Sequence, residues 1–230
     1  LVVHPPGRPA RPHSTAAGRV TPHPLAALLE DAARGDFPEP DGAVEVLPAP
    51  PGRCMAVVGF TAHHVVAADV APEWVSAQLP EDDLSAPMSA SFLMAVGERI
   101  GRRPGSLDVV LAANGVPGEP ELSEVAGAEH ARVIRAHRYR SDVRVYEDDD
   151  GAAVVVVGRG LALRREVAVE VDPAARNRGL GTQALFNARR LVGEDDVLFA
   201  QVAPGNAASL RIFLTAGFEP IGCEVLFLDG

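Results

Sequence analysis

Residues 176–181 read Arg-Asn-Arg-Gly-Leu-Gly and join a stretch that alternates like a strand to one with helical period. Glycines at such a turn let the backbone approach an anion, and the N–H groups of the helix's first turn point at it. Arg176 and Arg178 add positive charge at the same spot, so a pyrophosphate is the natural guest. Taken alone, the turn fits a tight strand-to-helix connection equally well. The following residues support the phosphate. Leu180, Ala184, Leu185, Ala188, Leu191 and Val192 form one apolar stripe, while Gln183, Asn187 and Arg190 face outward. Such a helix docks on a sheet and leaves its first turn free. Just upstream, Val167, Val169 and Val171 point one way, and Glu166, Ala168 and Glu170 point the other. Two carboxylates therefore share the face away from that helix.

These residues need a sheet to hold them. Residues 21–35 place Leu25, Leu28 and Leu29 on one helical face and stop at Gly35. Strands are predicted at 44–46, 52–59 and 63–70, a short helix at 73–79, a helix through Leu93, Val96 and Ile100, and a buried strand at 107–112. The second half reads as a helix over 122–138, strands at 143–145, 151–158 and 166–171, and a helix at 180–192. A strand at 197–201, a helix at 206–216 and a strand at 221–228 follow. An offset of 99 aligns Val44 with Val143, Val46 with Val145, Gly52 with Gly151 and Gly59 with Gly158. After a two-residue shift, Ala67, Asp69, Val70 and Pro72 fall on Ala168, Glu170, Val171 and Pro173. This order predicts a duplication. The copies part after the shared proline, where Glu73-Trp74-Val75-Ser76 has no glycine.

The loop also resembles the coenzyme A signature of the GNAT superfamily of N-acyltransferases. Arg176, Gly179 and Gly181 match its Gln/Arg-x-x-Gly-x-Gly/Ala pattern, and Val171-Asp172-Pro173 matches the strand end before it. Asn206, opening a helix that closes on Gly217-Phe218, matches the downstream part, so the resemblance covers about residues 120–228. It implies an α/β fold: a mixed, mostly antiparallel sheet flanked by helices, with strands 166–171 and 197–201 splayed apart. With the repeat, it implies a tandem: a disordered tail at 1–20, a degenerate GNAT-like domain at 21–118 and an acetyl-CoA-binding GNAT domain at 119–230.

The resemblance also implies a site. Acetyl-CoA, as cosubstrate, would place its pantetheine on main-chain groups around Val169 and Val171. Its pyrophosphate would sit on the amides of Arg176, Asn177, Arg178, Gly179, Leu180, Gly181 and Thr182. Asn206, Ser209 and Phe213 would lie alongside, with Asn206 capping its helix. An amine must lose a proton before it attacks a thioester, which gives Glu170 and Glu166 a role as base; ion pairs with Arg144 or Arg165 are the other reading. Phe213 stands where many members carry a tyrosine that protonates the departing thiolate, and it has no proton to give. The implied activity is direct transfer of an acetyl group from acetyl-CoA to a primary amine. The alternative is a catalytically inactive coenzyme A-binding module.

Composition narrows the partners. The net charge of -10 repels nucleic acid and anionic membranes and favours a cationic acceptor, a small-molecule amine or a peptide. No stretch approaches the ~18 apolar residues of a membrane helix, and residues 1–20 lack the apolar core of a secretory signal. Cys54 and Cys223 stand at no metal or redox spacing, which suits a reducing, cytoplasmic interior. His63 and His64 have no partner ligands at metal spacing, so no metal is expected. The exposed end of each half-sheet offers a surface for a homodimer.

Overall fold

The computed structural model describes residues 22–80, 82–126 and 130–229; the tail expected at 1–20 lies outside them. The first half runs α1 (Pro24–Ala33), β1 (Val44–Leu47), β2 (Met55–Phe60), β3 (His63–Ala67), α2 (Pro72–Gln78), α3 (Ala90–Ile100) and β4 (Arg103–Asn114). The second runs β5 (Ser123–Val125), α4 (Ala131–Tyr139), β6 (Ser141–Glu147), β7 (Ala153–Arg159), β8 (Arg165–Val171), α5 (Leu180–Arg189), β9 (Val197–Val202), α6 (Ala207–Thr215) and β10 (Glu219–Leu228). The result is the α/β architecture expected, a mixed and mostly antiparallel sheet with helices on both faces.

One sheet of ten strands, ordered β1-β3-β2-β10-β4-β9-β8-β7-β6-β5, runs through both halves. The halves exchange strands at its centre. β10 pairs with β2 through Val225 and Val57, and β4 pairs with β9 through Val110 and Gln201. On the front face α1 buries Leu25 and Leu29 against Val58, Val110 and Phe199, and α4 buries Val133 and Ala136 against Val145, Val154 and Val156. On the back face α3 covers Val57, Val66 and Val225. Beside it α5 and α6 pack Leu185, Ala188 and Phe213 onto Val155, Val167 and Leu198. Because both faces are covered, His63 and His64 are both buried.

Two sequence expectations change. The helix predicted over 122–138 begins only at Ala131; Ser123–Val125 instead pairs with Glu147, Tyr146 and Val145 of β6, whose outer edge would otherwise be bare. The imidazole Nδ1 of His130 caps α4 by accepting the Arg132 N–H at 3.1 Å. The aligned repeat holds for the hairpins β2–β3 and β7–β8 but not for the strand before each. β6 lies antiparallel to β7, whereas β1 lies parallel to β3, Val44 facing His64. The edge of β2 that β1 would need is already taken by β10.

Candidate active site

The site forms where β8 and β9 separate. They are parallel and bridged at one point only, Glu166 to Phe199. Along β8, the Asp172 N–H donates to the Ala152 carbonyl at 2.9 Å, which fixes the phase of pairing with β7. By antiparallel alternation, the main-chain groups of Val167, Val169 and Val171 then face away from β7, toward β9. Beyond the bridge β9 has diverged, so Val169 presents its N–H and carbonyl to the gap. A cavity of about 290 Å³ passes through the sheet there. Asn206, Ser209 and Phe213 of α6 line its back, and Asp108, Tyr139 and Arg140 line its front.

The glycine-rich loop continues from the end of β8. Asp172 starts a short 3₁₀ turn, its Oδ1 accepting the Ala174 N–H at 2.7 Å. Asn177 and Gly179 then take left-handed backbone conformations, at φ 62° and 82°. Nothing lies within 4 Å of where a Cβ on Gly179 would stand, so the backbone is open to solvent. Gly181 serves packing instead: a Cβ there would lie 3.0 Å from Ile212 and 3.5 Å from Val171. Helix α5 begins without a side-chain cap, which leaves the N–H groups of its first turn available to an anion. Arg176 and Arg178 are exposed beside it, with Arg176 Nε donating to the Val171 carbonyl at 3.2 Å. These features fit a pyrophosphate group. The side chains of Val167, Val169 and Val171 pack toward α5 as expected, with Ala184, Leu185 and Ala188. Asn187 departs from expectation: it is buried, its Oδ1 accepting from Glu121 N–H at 3.1 Å and Arg190 Nη1 at 2.9 Å.

Charged groups under the front of the cavity are tightly paired. Glu166 Oε2 accepts from Arg140 Nε at 2.8 Å, and its Oε1 from Arg164 Nε at 2.9 Å and the Leu161 N–H at 3.2 Å. Arg164 Nη2 reaches Glu224 at 2.6 Å, and its guanidinium lies over the Phe199 ring. Burial alone would raise the Glu166 carboxyl, but Arg164 and Arg140 outweigh it and hold the group below the usual carboxylate range. Burial, with the charges of Glu166 and Asp108, pushes Glu224 the other way against the pull of Arg164, and its Oε2 has no partner among the described residues. Glu170 is part-exposed and accepts from Arg132 Nε at 3.2 Å.

No protein-family model and no curated protein matches the chain. Among solved structures, it is similar to a GCN5-related N-acetyltransferase from Kribbella flavida, at 24% identity and a TM-score of 0.38, covering 60% of this chain and 64% of that one. It is also similar to an acetyltransferase of the GNAT family from Colwellia psychrerythraea, at 11% identity and a TM-score of 0.38, covering 61% and 63%. A tandem GNAT protein from the clavulanic acid biosynthesis pathway shows 16% identity and a TM-score of 0.36, covering 76% and 64%. The likeness is to GNAT acetyltransferases. The chain spans less than two thirds of the length of each.

The structure gathers Val169, Asn206, Ser209, Phe213 and Glu166 around one cavity, and the loop residues 176–182 follow directly from the end of β8. Asn206 caps α6, its Oδ1 accepting the Ser209 N–H at 3.1 Å. Phe213 is buried edge-on against Phe218, with ring centroids 5.0 Å apart. Glu166 must be corrected as a base: it is buried and both its oxygens are committed to cations, so it has no vacancy for a proton from a substrate. Both glutamates do form ion pairs, but with Arg140, Arg164 and Arg132. Arg144 instead lies 3.9 Å from Glu124, and Arg165 2.7 Å from Asp196. Sequence reasoning missed Asp108, Tyr139, Arg140 and Gln201. Asp108 had one visible signal: it is the only charge in the apolar run 107–112.

Proposed function

We propose that this chain transfers an acyl group, acetyl in the simplest case, from a coenzyme A thioester to a primary amine by direct attack. The observation that carries this reading is the continuity of three features: unpaired main chain on Val169 at the β8–β9 gap, a cavity through the sheet, and an uncapped helix behind an arginine-flanked glycine loop. Amides of residues 177–182, with Arg176 and Arg178, would hold the pyrophosphate, and main-chain groups of Val169 would hold the pantetheine. When bound, the thioester supplies an acyl carbon on a good leaving group. The Val169 N–H, aimed into the gap, is suited to polarise a carbonyl and to stabilise charge developing on its oxygen. Asn206, Ser209 and Phe213 shape the back of the cavity, and the acceptor enters from the front. Tyr139 is the phenol lining this cavity, and we assign it the proton for the departing thiolate that Phe213 cannot supply. The two cysteines are free, in keeping with a cytoplasmic enzyme.

Calorimetric titration with acetyl-CoA tests this reading, using the wild type and an Arg176→Ala/Gly179→Ala double variant. Saturable binding at one site, lost in the double variant, is expected. A wild type that binds no acetyl-CoA would sink it. One observation favours a second reading, a coenzyme A-binding module without activity: Phe213 is locked in the core where a proton donor is expected. Thiol release with any amine would exclude that module.

A further inference from the structure

The proposed transfer needs a group to take the acceptor's proton, and the cavity wall holds two carboxylates, Glu166 and Asp108. Glu166 is saturated by Arg140 and Arg164. Asp108 is different. It sits half-buried on the front face of β4, directly across from Glu224 of β10. Among the described residues its one side-chain partner is the neutral hydroxyl of Ser106, which donates to Oδ1 at 3.3 Å. Among the described residues no cation comes within ion-pairing distance of it, although Arg132, Arg135 and Arg140 line the same cavity. Arg132 and Arg140 are occupied by Glu170 and Glu166. A desolvated carboxylate without an ion-pair partner, facing a cavity, is complementary to an incoming cation.

We infer that Asp108 binds the acceptor's ammonium group and takes its proton, so that the first half of the chain supplies the base for a reaction whose thioester is held by the second. The inference rests on the acyl-transfer reading above. A proton passes from the ammonium nitrogen to Oδ of Asp108 and leaves a neutral amine with its lone pair free. As that nitrogen bonds to the acyl carbon, the carbon–sulfur bond of the thioester breaks. Tyr139 protonates the departing thiolate and is restored by the second proton that the nitrogen sheds, and Asp108 returns its own to water. The acceptor is therefore a cationic primary amine, which the chain's excess negative charge also attracts.

Burial raises the Asp108 carboxyl above its ordinary 3.8, against the opposing pull of Ser106 and Arg135. The other polar or ionisable groups around it are Glu224 on β10, Gln201 on β9, Glu166 on β8, Arg132 and Tyr139 on α4, and Arg140 just after α4. A base must be deprotonated to work, so the rate falls as pH drops through the Asp108 value.

The test compares wild type, Asp108→Asn and Asp108→Glu. Acetyl-CoA binding is measured by calorimetry, and thiol release across pH with glycinamide, tyramine and spermidine. Asp108→Asn is expected to bind acetyl-CoA like the wild type, to lose about 100-fold or more in kcat/KM, and to lose the acid limb of its profile; Asp108→Glu restores part of both. An Asn variant that keeps the rate and the acid limb overturns the assignment. Failure of the wild type to bind acetyl-CoA removes the acyl-transfer reading itself. A readout independent of turnover uses carboxyl-carbon NMR with ethylammonium as probe. A saturable shift of the Asp108 resonance, absent with ethanol, is expected; a shift at Glu170 alone overturns the inference.

Discussion

The carboxylate of Glu166 stands where a side chain on Gly160 would begin. A methyl group there would meet the carboxyl carbon and both oxygens, so residue 160 must be glycine for Arg140 and Arg164 to share Glu166. Gly160→Ala is expected to displace Glu166 from its partners and to cost about 3–5 kcal/mol, as when one member of a buried pair is lost. Denaturant midpoints of the wild type and variant check this. An unchanged midpoint would mean that the turn at 160–164 yields without disturbing the pair.

The same carboxylate sets an acid limit. The folded chain holds Glu166 below its ordinary 4.5, so this contribution to stability is fully present above 4.5. It drains away as pH falls from there through the lower folded value. Glu224, raised above 4.5, runs the opposite way: its contribution is present below 4.5 and lost as pH rises through its folded value. The Glu166 share is therefore read as a difference. Urea midpoints from pH 7 down to about 3 should fall less for Glu166→Gln than for the wild type. Parallel curves would assign acid loss to other groups.

Two glycines of the loop at 176–181 should respond differently. Gly179 at φ 82° opens on empty space, so Gly179→Ala meets backbone strain of about 1–2 kcal/mol without a clash. Relief of that strain reshapes the loop, and acetyl-CoA affinity should drop about tenfold. Gly181→Ala meets only the flexible tip of Ile212, at 3.0 Å, and should bind acetyl-CoA nearly as the wild type does. Calorimetry on both variants decides. Equal losses would show that helix packing, not loop shape, governs the site.

Tyr139→Phe tests the proton donor. The phenol lines the cavity while its ring packs beneath Arg135, and the variant keeps that packing. We expect kcat to fall about 10–100-fold with KM little changed, measured by thiol release at saturating amine. Full activity would hand the thiolate's proton to water.

What could be read before the fold was known followed local periodicity. Val167, Val169 and Val171 against Ala184, Leu185 and Ala188 were visible because each lies in an uninterrupted two- or 3.6-residue pattern. The loop was legible because Gly179 and Asn177 are residue types that accept positive φ. What stayed hidden depends on distant partners. Arg140, the Arg164–Glu166 stretch and Glu224 come from three segments and meet only when the sheet closes. β1 could not be placed because β10, more than 170 positions later, takes the edge it would have used. Asp108 was passed over as one charge in an apolar strand, since nothing local says that β4 crosses into the other half's sheet.

That crossing bears on how the chain is made. β10 is the last strand of the sheet to leave the ribosome, yet β2 and β4 both wait for it. Until residue 228 has emerged, the growing chain carries open strand edges at its centre, each able to pair with a neighbouring nascent chain. Folding half by half during synthesis is thereby closed to this protein. The sheet reaches its native state as a single unit only once β10 has emerged, and its yield in a cell should depend on whatever shields those edges in the interval.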